Sequence, residues 1–180
     1  MKKKLLTILL AIGLVAALGA CSDGATENEE TVENEVVTEE TKGSDEDVAP
    51  GIKGSQAYDI IIDLDNNGIP KAETVNTSYG YQYDSMTSEY GYSITANSKH
   101  EIMCATFYLM NDDNSFMTHC ATMPYDSADT EAASKWVEEN IGSEAETTIG
   151  EAKFILYNGT NGPVLTIQDP GFDDFVASQM

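Results

Sequence analysis

The side chains that could do chemistry sit in a few short stretches. Asp63-Leu64-Asp65-Asn66-Asn67-Gly68 places oxygen-bearing side chains at the first, third and fifth positions of a run with Gly at the sixth, the way an EF-hand-type loop begins to gather oxygens around calcium. The second half of such a loop fits poorly: Lys71 falls on the ninth position and Thr74 on the twelfth, where a bidentate Glu is needed, and Glu73 comes one residue early. Asn67-Gly68 is also a strong β-turn signal, and the turn is the favoured reading, with Asp63, Asp65 and Asn67 kept as candidate calcium ligands. Tyr79, Tyr81 and Tyr83 recur at spacing two, which lines their rings along one face of a strand. Such a stripe either packs a sheet or offers a platform on which a sugar or polar peptide can stack, because Tyr provides a large amphipathic contact at low entropic cost.

Catalytic patterns are weaker. His119 precedes Cys120 and His100 lies four residues before Cys104, but on a strand neighbouring side chains point to opposite faces, so His119 and Cys120 would not meet as base and nucleophile. Neither CxxC nor HExxH occurs. Carboxylates such as Asp84, Glu89 and Glu101 leave open a glycan hydrolase with a paired acid and base, but no catalytic residue is assigned.

The elements that must position these groups follow from periodicity. Tyr58 to Leu64, with Ile60, Ile61 and Ile62, reads as a buried strand. Glu101–Met110 and Phe116–Thr122 read as a hairpin around residues 111–115, in a register that sets Cys104 opposite Cys120. Opposed cysteines are expected to form a disulfide where the compartment is oxidising, two free buried thiols being the alternative. Ala133, Trp136, Val137, Asn140 and Ile141 recur at helical spacing, so 130–141 is the main helix, closed by Gly142. Glu151–Asn158 and Pro163–Gln168 form a second hairpin, and 172–178 a short C-terminal helix. The class expected is α+β: an antiparallel sheet of about six strands, one main helix and a short closing one.

Composition bounds the partners. The chain carries 31 carboxylates against 9 lysines and no arginine, for a formal net charge of −22. A nucleic-acid reader would carry a basic stripe, so no nucleic-acid partner is expected. Eleven of the carboxylates fall between Ser22 and Lys53, a stretch without a single aromatic residue, which predicts an extended, self-repelling linker. Its typical reach is about 30 Å.

Ahead of that linker, Lys2, Lys3 and Lys4 precede an apolar run, Leu5 to Leu18, that ends on Leu18-Gly19-Ala20-Cys21. The run is shorter than the ~20 residues a spanning helix needs and has the layout of a secretory signal. The tetrad resembles the lipobox of bacterial lipoproteins. That resemblance covers residues 1–21 only and implies cleavage before Cys21, lipid on its sulfur, and residence at the outer face of the cell membrane. The organisation expected is a signal peptide at 1–20, a lipidated Cys21 and acidic linker at 21–53, and a globular domain at 54–180. A small non-catalytic module for a protein or carbohydrate ligand is the function this suggests.

Overall fold

Ala57, Ile60, Ile61 and Leu64 recur at the three-and-four spacing of a helix, and Ala57–Asn66 forms one, α1, with those four side chains buried. The strand expected over 58–64 is therefore corrected. Three consecutive isoleucines favour a strand by only tenths of a kcal/mol each, whereas the spacing of the apolar positions decides which face is buried. Ile62, the one isoleucine off that stripe, is 50% exposed. The helix closes on a Schellman motif: Ile69 N–H donates to Leu64 O at 3.0 Å and Gly68 N–H to Asp65 O at 3.0 Å. Gly68 sits at φ +87°, the left-handed position such a cap requires, so the Asn67-Gly68 signal marks a helix end.

The computed structural model describes residues 48–125 and 128–180. The leader, Cys21 and most of the linker lie outside the described residues, as do Asp126 and Ser127.

After α1 come β1 (Thr74–Asn76), β2 (Gly80–Met86), β3 (Tyr90–Asn97) and β4 (Ile102–Leu109), then α2 (Ser115–Ala121), α3 (Thr130–Asn140), β5 (Ala145–Ile149), β6 (Ala152–Gly159), β7 (Gly162–Gln168) and α4 (Phe172–Ser178). The seven strands form one sheet in the order β1-β2-β3-β4-β7-β6-β5, antiparallel at each junction. The class is α+β, with seven strands where the sequence suggests about six. Two meanders, one from each end of the chain, meet along β4 and β7.

Directly paired residues share a face, so the register sorts the sheet into two surfaces. Tyr83, Ile94, Ala105, Ile167 and Phe154 form a row on one side, and this side packs against α1, α2 and α3. Trp136 of α3 meets Phe154 edge-on at 6.3 Å, the core role its helical position predicts. Asp129 caps α3 by accepting from Ala132 N–H at 3.0 Å. The opposite side carries Gln82, Ser93, Thr95, Cys104, Thr106 and Thr166, which bond to one another: Gln82 Nε2 donates to Ser93 Oγ at 2.8 Å, Thr95 Oγ1 to Gln82 Oε1 at 2.8 Å, and Thr106 and Thr166 hydroxyls lie 3.3 Å apart.

The hairpin expected over 101–122 is half right. Its first strand is β4, but Phe116, Met117, Cys120 and Ala121 are buried at helical spacing and belong to α2. The start of α2 is set by its polar residues: Asn111 Oδ1 accepts from Asp113 N–H, and Asp113 Oδ1 from Ser115 N–H, side-chain turns that compete with strand pairing. The predicted Cys104–Cys120 disulfide falls with the hairpin. Both thiols are free, Cys104 on the polar side of the sheet and Cys120 in the core on the helix side, so the sheet lies between them.

Candidate functional site

β2 carries the tyrosine row into three different surroundings. Tyr83 is 1% exposed and belongs to the core, where its hydroxyl meets His100 Nδ1 at 3.2 Å and Tyr58 packs edge-on at 5.8 Å. Burial, and then the neighbouring Tyr58 hydroxyl, push its phenol above the ordinary range, so it is a neutral structural group. Tyr81 lies parallel to the His100 ring, with centroids 4.1 Å apart and planes within 9°. Tyr79, just before the strand, meets Phe175 of α4 edge-on at 5.6 Å. The row thus divides between the two readings: Tyr83 packs in the core, and Tyr79 and Tyr81 are left as platform candidates.

Tyr79 and Tyr81 line a cavity of about 530 Å³, within the ~300–1,000 Å³ of small-ligand sites. Its floor is the β1–β2 turn, residues 76–80, closed by Thr77 N–H donating to Gly80 O at 2.8 Å. Gly80 is required there: a Cβ at this position, φ +154°, would lie 2.1 Å from Ala96 O, so only glycine lets the turn lie against β3. Phe175 and Gln179 close the cavity from the C-terminal side, and Ser98 from the β3–β4 turn.

Two features mark this cavity as more than a surface dent. His100, which fixes the Tyr81 ring, holds a left-handed backbone at φ +62°, an uncommon conformation for a non-glycine residue, and its backbone is pinned by His100 N–H to Asn97 O and by Ala57 N–H to His100 O. Thr77 supplies the second feature. Among the described residues two buried side-chain polar atoms have no hydrogen-bond partner, Gln168 Nε2 and Thr77 Oγ1, and Thr77 is one of the residues lining the cavity. A buried unpaired hydroxyl costs about 1–3 kcal/mol.

The candidate calcium ligands end up elsewhere. Asp63 and Asn67 share a face of α1, with Asn67 Nδ2 donating to Asp63 O at 2.8 Å, while Asp65, two residues on, projects from another side of the helix. Asp63 and Asp65 thus lie in the last turn of a helix, a backbone that does not wrap three side chains around one point as an open calcium loop does. Among the described residues no group of three or more His, Cys, Asp or Glu side chains is placed to hold a metal ion. Asp63 instead accepts from His119 Nε2 at 2.6 Å, clasping α1 to α2, with both side chains near two-fifths exposed. His119 of this pair lines a smaller cavity of about 270 Å³ with Asn67, Tyr90, Asp113 and Ser115. There Asp113 is held below the ordinary carboxylate range by the Ser115 hydroxyl and backbone N–H, so Ser115 is engaged by Asp113. No local pattern announces the clasp, because its partners lie 56 residues apart.

The cysteines are poor nucleophiles. Burial pushes the Cys104 thiol up to about 11 and Cys120 well above its ordinary value, so both stay protonated at neutral pH. Of the hydrolase carboxylates, Glu89 and Glu101 do not converge. Glu89 precedes β3 and Glu101 follows it, so roughly 25 Å of strand separates them, against the ~5–10 Å a glycosidase pair needs. Asp84 lies on the polar face, accepting from Gln82 Nε2 at 3.0 Å, and Glu101 accepts from Asn97 Nδ2 at 3.0 Å.

Compared with protein-family models, with curated proteins and with solved structures, the chain matches none.

Proposed function

We propose that this chain is a lipoprotein anchored at the outer face of the cell membrane through Cys21, whose folded domain binds a ligand in the Tyr79–Tyr81 cavity without transforming it. The carrying observation is that cavity: a ring immobilised by His100, an edge-on Tyr79–Phe175 wall and an unpartnered Thr77 hydroxyl on one small-ligand-sized hollow. Fixed aromatic groups bind well because little rotamer freedom remains to be lost. The separation of Glu89 from Glu101 argues against paired-carboxylate hydrolysis. For the anchor, the support is the lysine-led leader and the Leu18-Gly19-Ala20-Cys21 box. One acyl chain holds a protein only marginally, so a stable anchor needs the several chains that lipobox processing adds.

The anchor is tested by metabolic labelling with a palmitate analogue. Label should enter the wild type and be absent from Cys21→Ala; label retained in the variant removes the anchor. The binding half is tested by screening envelope extracts, fractionated into glycans and proteins, for a rise in melting temperature. A hit should be lost on Tyr81→Leu, which keeps the bulk and removes the flat ring.

A further inference from the structure

Resting on the reading of this cavity as a binding site, we propose that its ligand is an uncharged carbohydrate segment, one or two pyranose units long, stacked on Tyr81 and bonded by neutral side chains.

Charge comes first. Residues 48–180 carry 20 carboxylates against 5 lysines, yet among the described residues no Asp, Glu, Lys or His lines the cavity. The polar side chains there are Asn76, Thr77, Ser78, Ser98 and Gln179, all amides or hydroxyls. An anionic ligand would enter against the field of the surrounding carboxylates and find no cation. A cationic ligand would be drawn to the domain but would shed water with no carboxylate in the wall to replace it. An uncharged ligand suffers neither loss.

Shape and hydrogen-bond type then favour sugar over peptide. Tyr81 has two ring faces, and His100 occupies one by parallel stacking. The cavity is lined by Tyr81 and not by His100, so the side turned from His100 is what a ligand meets. A pyranose presents a flat face of C–H groups to such a ring and a rim of hydroxyls, each both donor and acceptor, to Asn, Gln, Ser and Thr groups that are also of mixed character. An extended peptide needs a run of free backbone N–H and C=O groups on a sheet edge. Here only Asn76 of the edge strand β1 lines the cavity, the backbone of the turn that follows is closed by Thr77 N–H to Gly80 O, and the unpartnered group is a side-chain hydroxyl. A turn of the Thr77 side chain toward the cavity lets a sugar hydroxyl supply the bond its Oγ1 lacks.

This predicts a signature that ordinary packing would not give. Thr77→Val removes a buried hydroxyl without a partner, so it should leave the melting temperature unchanged or raised while weakening the sugar. The test is calorimetric titration of the full mature chain with neutral hexasaccharides (cellohexaose, chitohexaose, laminarihexaose and mannohexaose), with hexagalacturonate and a fully deacetylated chitosan hexamer as charged counterparts, and with a pool of neutral Ser/Asn/Gln hexapeptides. The result expected is binding of at least one neutral saccharide, at least tenfold tighter than either charged one. That binding should weaken at least tenfold in Tyr81→Leu and severalfold in Thr77→Val, with the melting temperature of Thr77→Val not lowered. Equal affinity for charged and neutral saccharides overturns the proposal, as does sugar binding that both variants leave intact. Binding of the peptide pool alone, lost in Tyr81→Leu, overturns the sugar class while the cavity stands as a binding site. No binding of any of these compounds overturns the sugar class, and if the envelope screen also yields no hit sensitive to Tyr81→Leu, the cavity falls with it.

Discussion

The two faces of the sheet solve opposite problems. On the helix side, Tyr83, Ile94, Ala105, Phe107 and Phe154 are buried against α1, α2 and α3, and stability there comes from apolar area withdrawn from water. On the other side, Gln82, Ser93, Thr95, Thr106 and Thr166 occupy the alternate positions of the same strands and satisfy one another by hydrogen bonds, each worth only about 1 kcal/mol net. Rigidity is therefore supplied from one side. The turns at the end of the sheet, where the tyrosine cavity lies, can hold strained or unpartnered groups because the helix-covered core keeps them in place.

The contrast is sharpest at Phe154, which is fully buried between Tyr125 at 6.1 Å and Trp136 at 6.3 Å. Phe154→Ala should cost about 3–5 kcal/mol in urea unfolding, whereas Thr106→Val on the polar face should cost near 1 kcal/mol. Similar losses at the two positions would mean that the helices do not dominate.

Alkaline pH should weaken the polar face next. Cys104, raised by burial to about 11, keeps its proton in the folded chain after the unfolded chain has lost it near 9. Its contribution is fully present below pH 9 and is lost as pH climbs from 9 through 11, by about 2–3 kcal/mol. Burial also raises Tyr92 and Tyr108, which steepens the fall above pH 10. Urea midpoints at pH 8 and 10.5 should differ accordingly, and Cys104→Ala should lessen the drop; an unchanged drop would assign it elsewhere.

The smallest effect concerns Gln168, which is 3% exposed with Nε2 unpartnered, while its Oε1 takes only a long contact of 4.0 Å from Cys104 Sγ. Gln168→Met should stabilise by about 1 kcal/mol, read as a modest rise in melting temperature. A loss would show that this amide is satisfied in solution.

Where one signal dominated, sequence and structure agree. The Ala133–Val137 stripe, the β6–β7 hairpin with its Gly159–Gly162 turn, and the short helix at Phe172 are all found where periodicity and punctuation put them. The misreadings share one cause. In 57–66 and 115–121, β-branched and aromatic content points to a strand, whereas Ala57-Ile60-Ile61-Leu64 and Phe116-Met117-Cys120-Ala121 both have helical period, and the period decides. The loss of the Cys104–Cys120 pair follows from the second misreading. β5 went unread because Ala145–Ile149 buries no residue fully. Of the cavity, Tyr79 and Tyr81 were visible as a stripe. Phe175 and Ser98 in its wall and the His100 ring behind Tyr81 were not, since each is placed by tertiary contacts between positions that no local pattern links.

The seam between β4 and β7 has a consequence for how the chain matures. Cys104 pairs with Gln168 and Tyr108 with Val164, across more than fifty intervening residues. Until residues 162–168 have been synthesised, the strand Ile102–Leu109 has nothing along its outer edge, and it is rich in apolar side chains. A nascent chain halted before that point would carry a sticky, half-finished ribbon open to self-association. Completion of this fold is therefore a late event, governed by long-range closure, and the final strand acts as its lock.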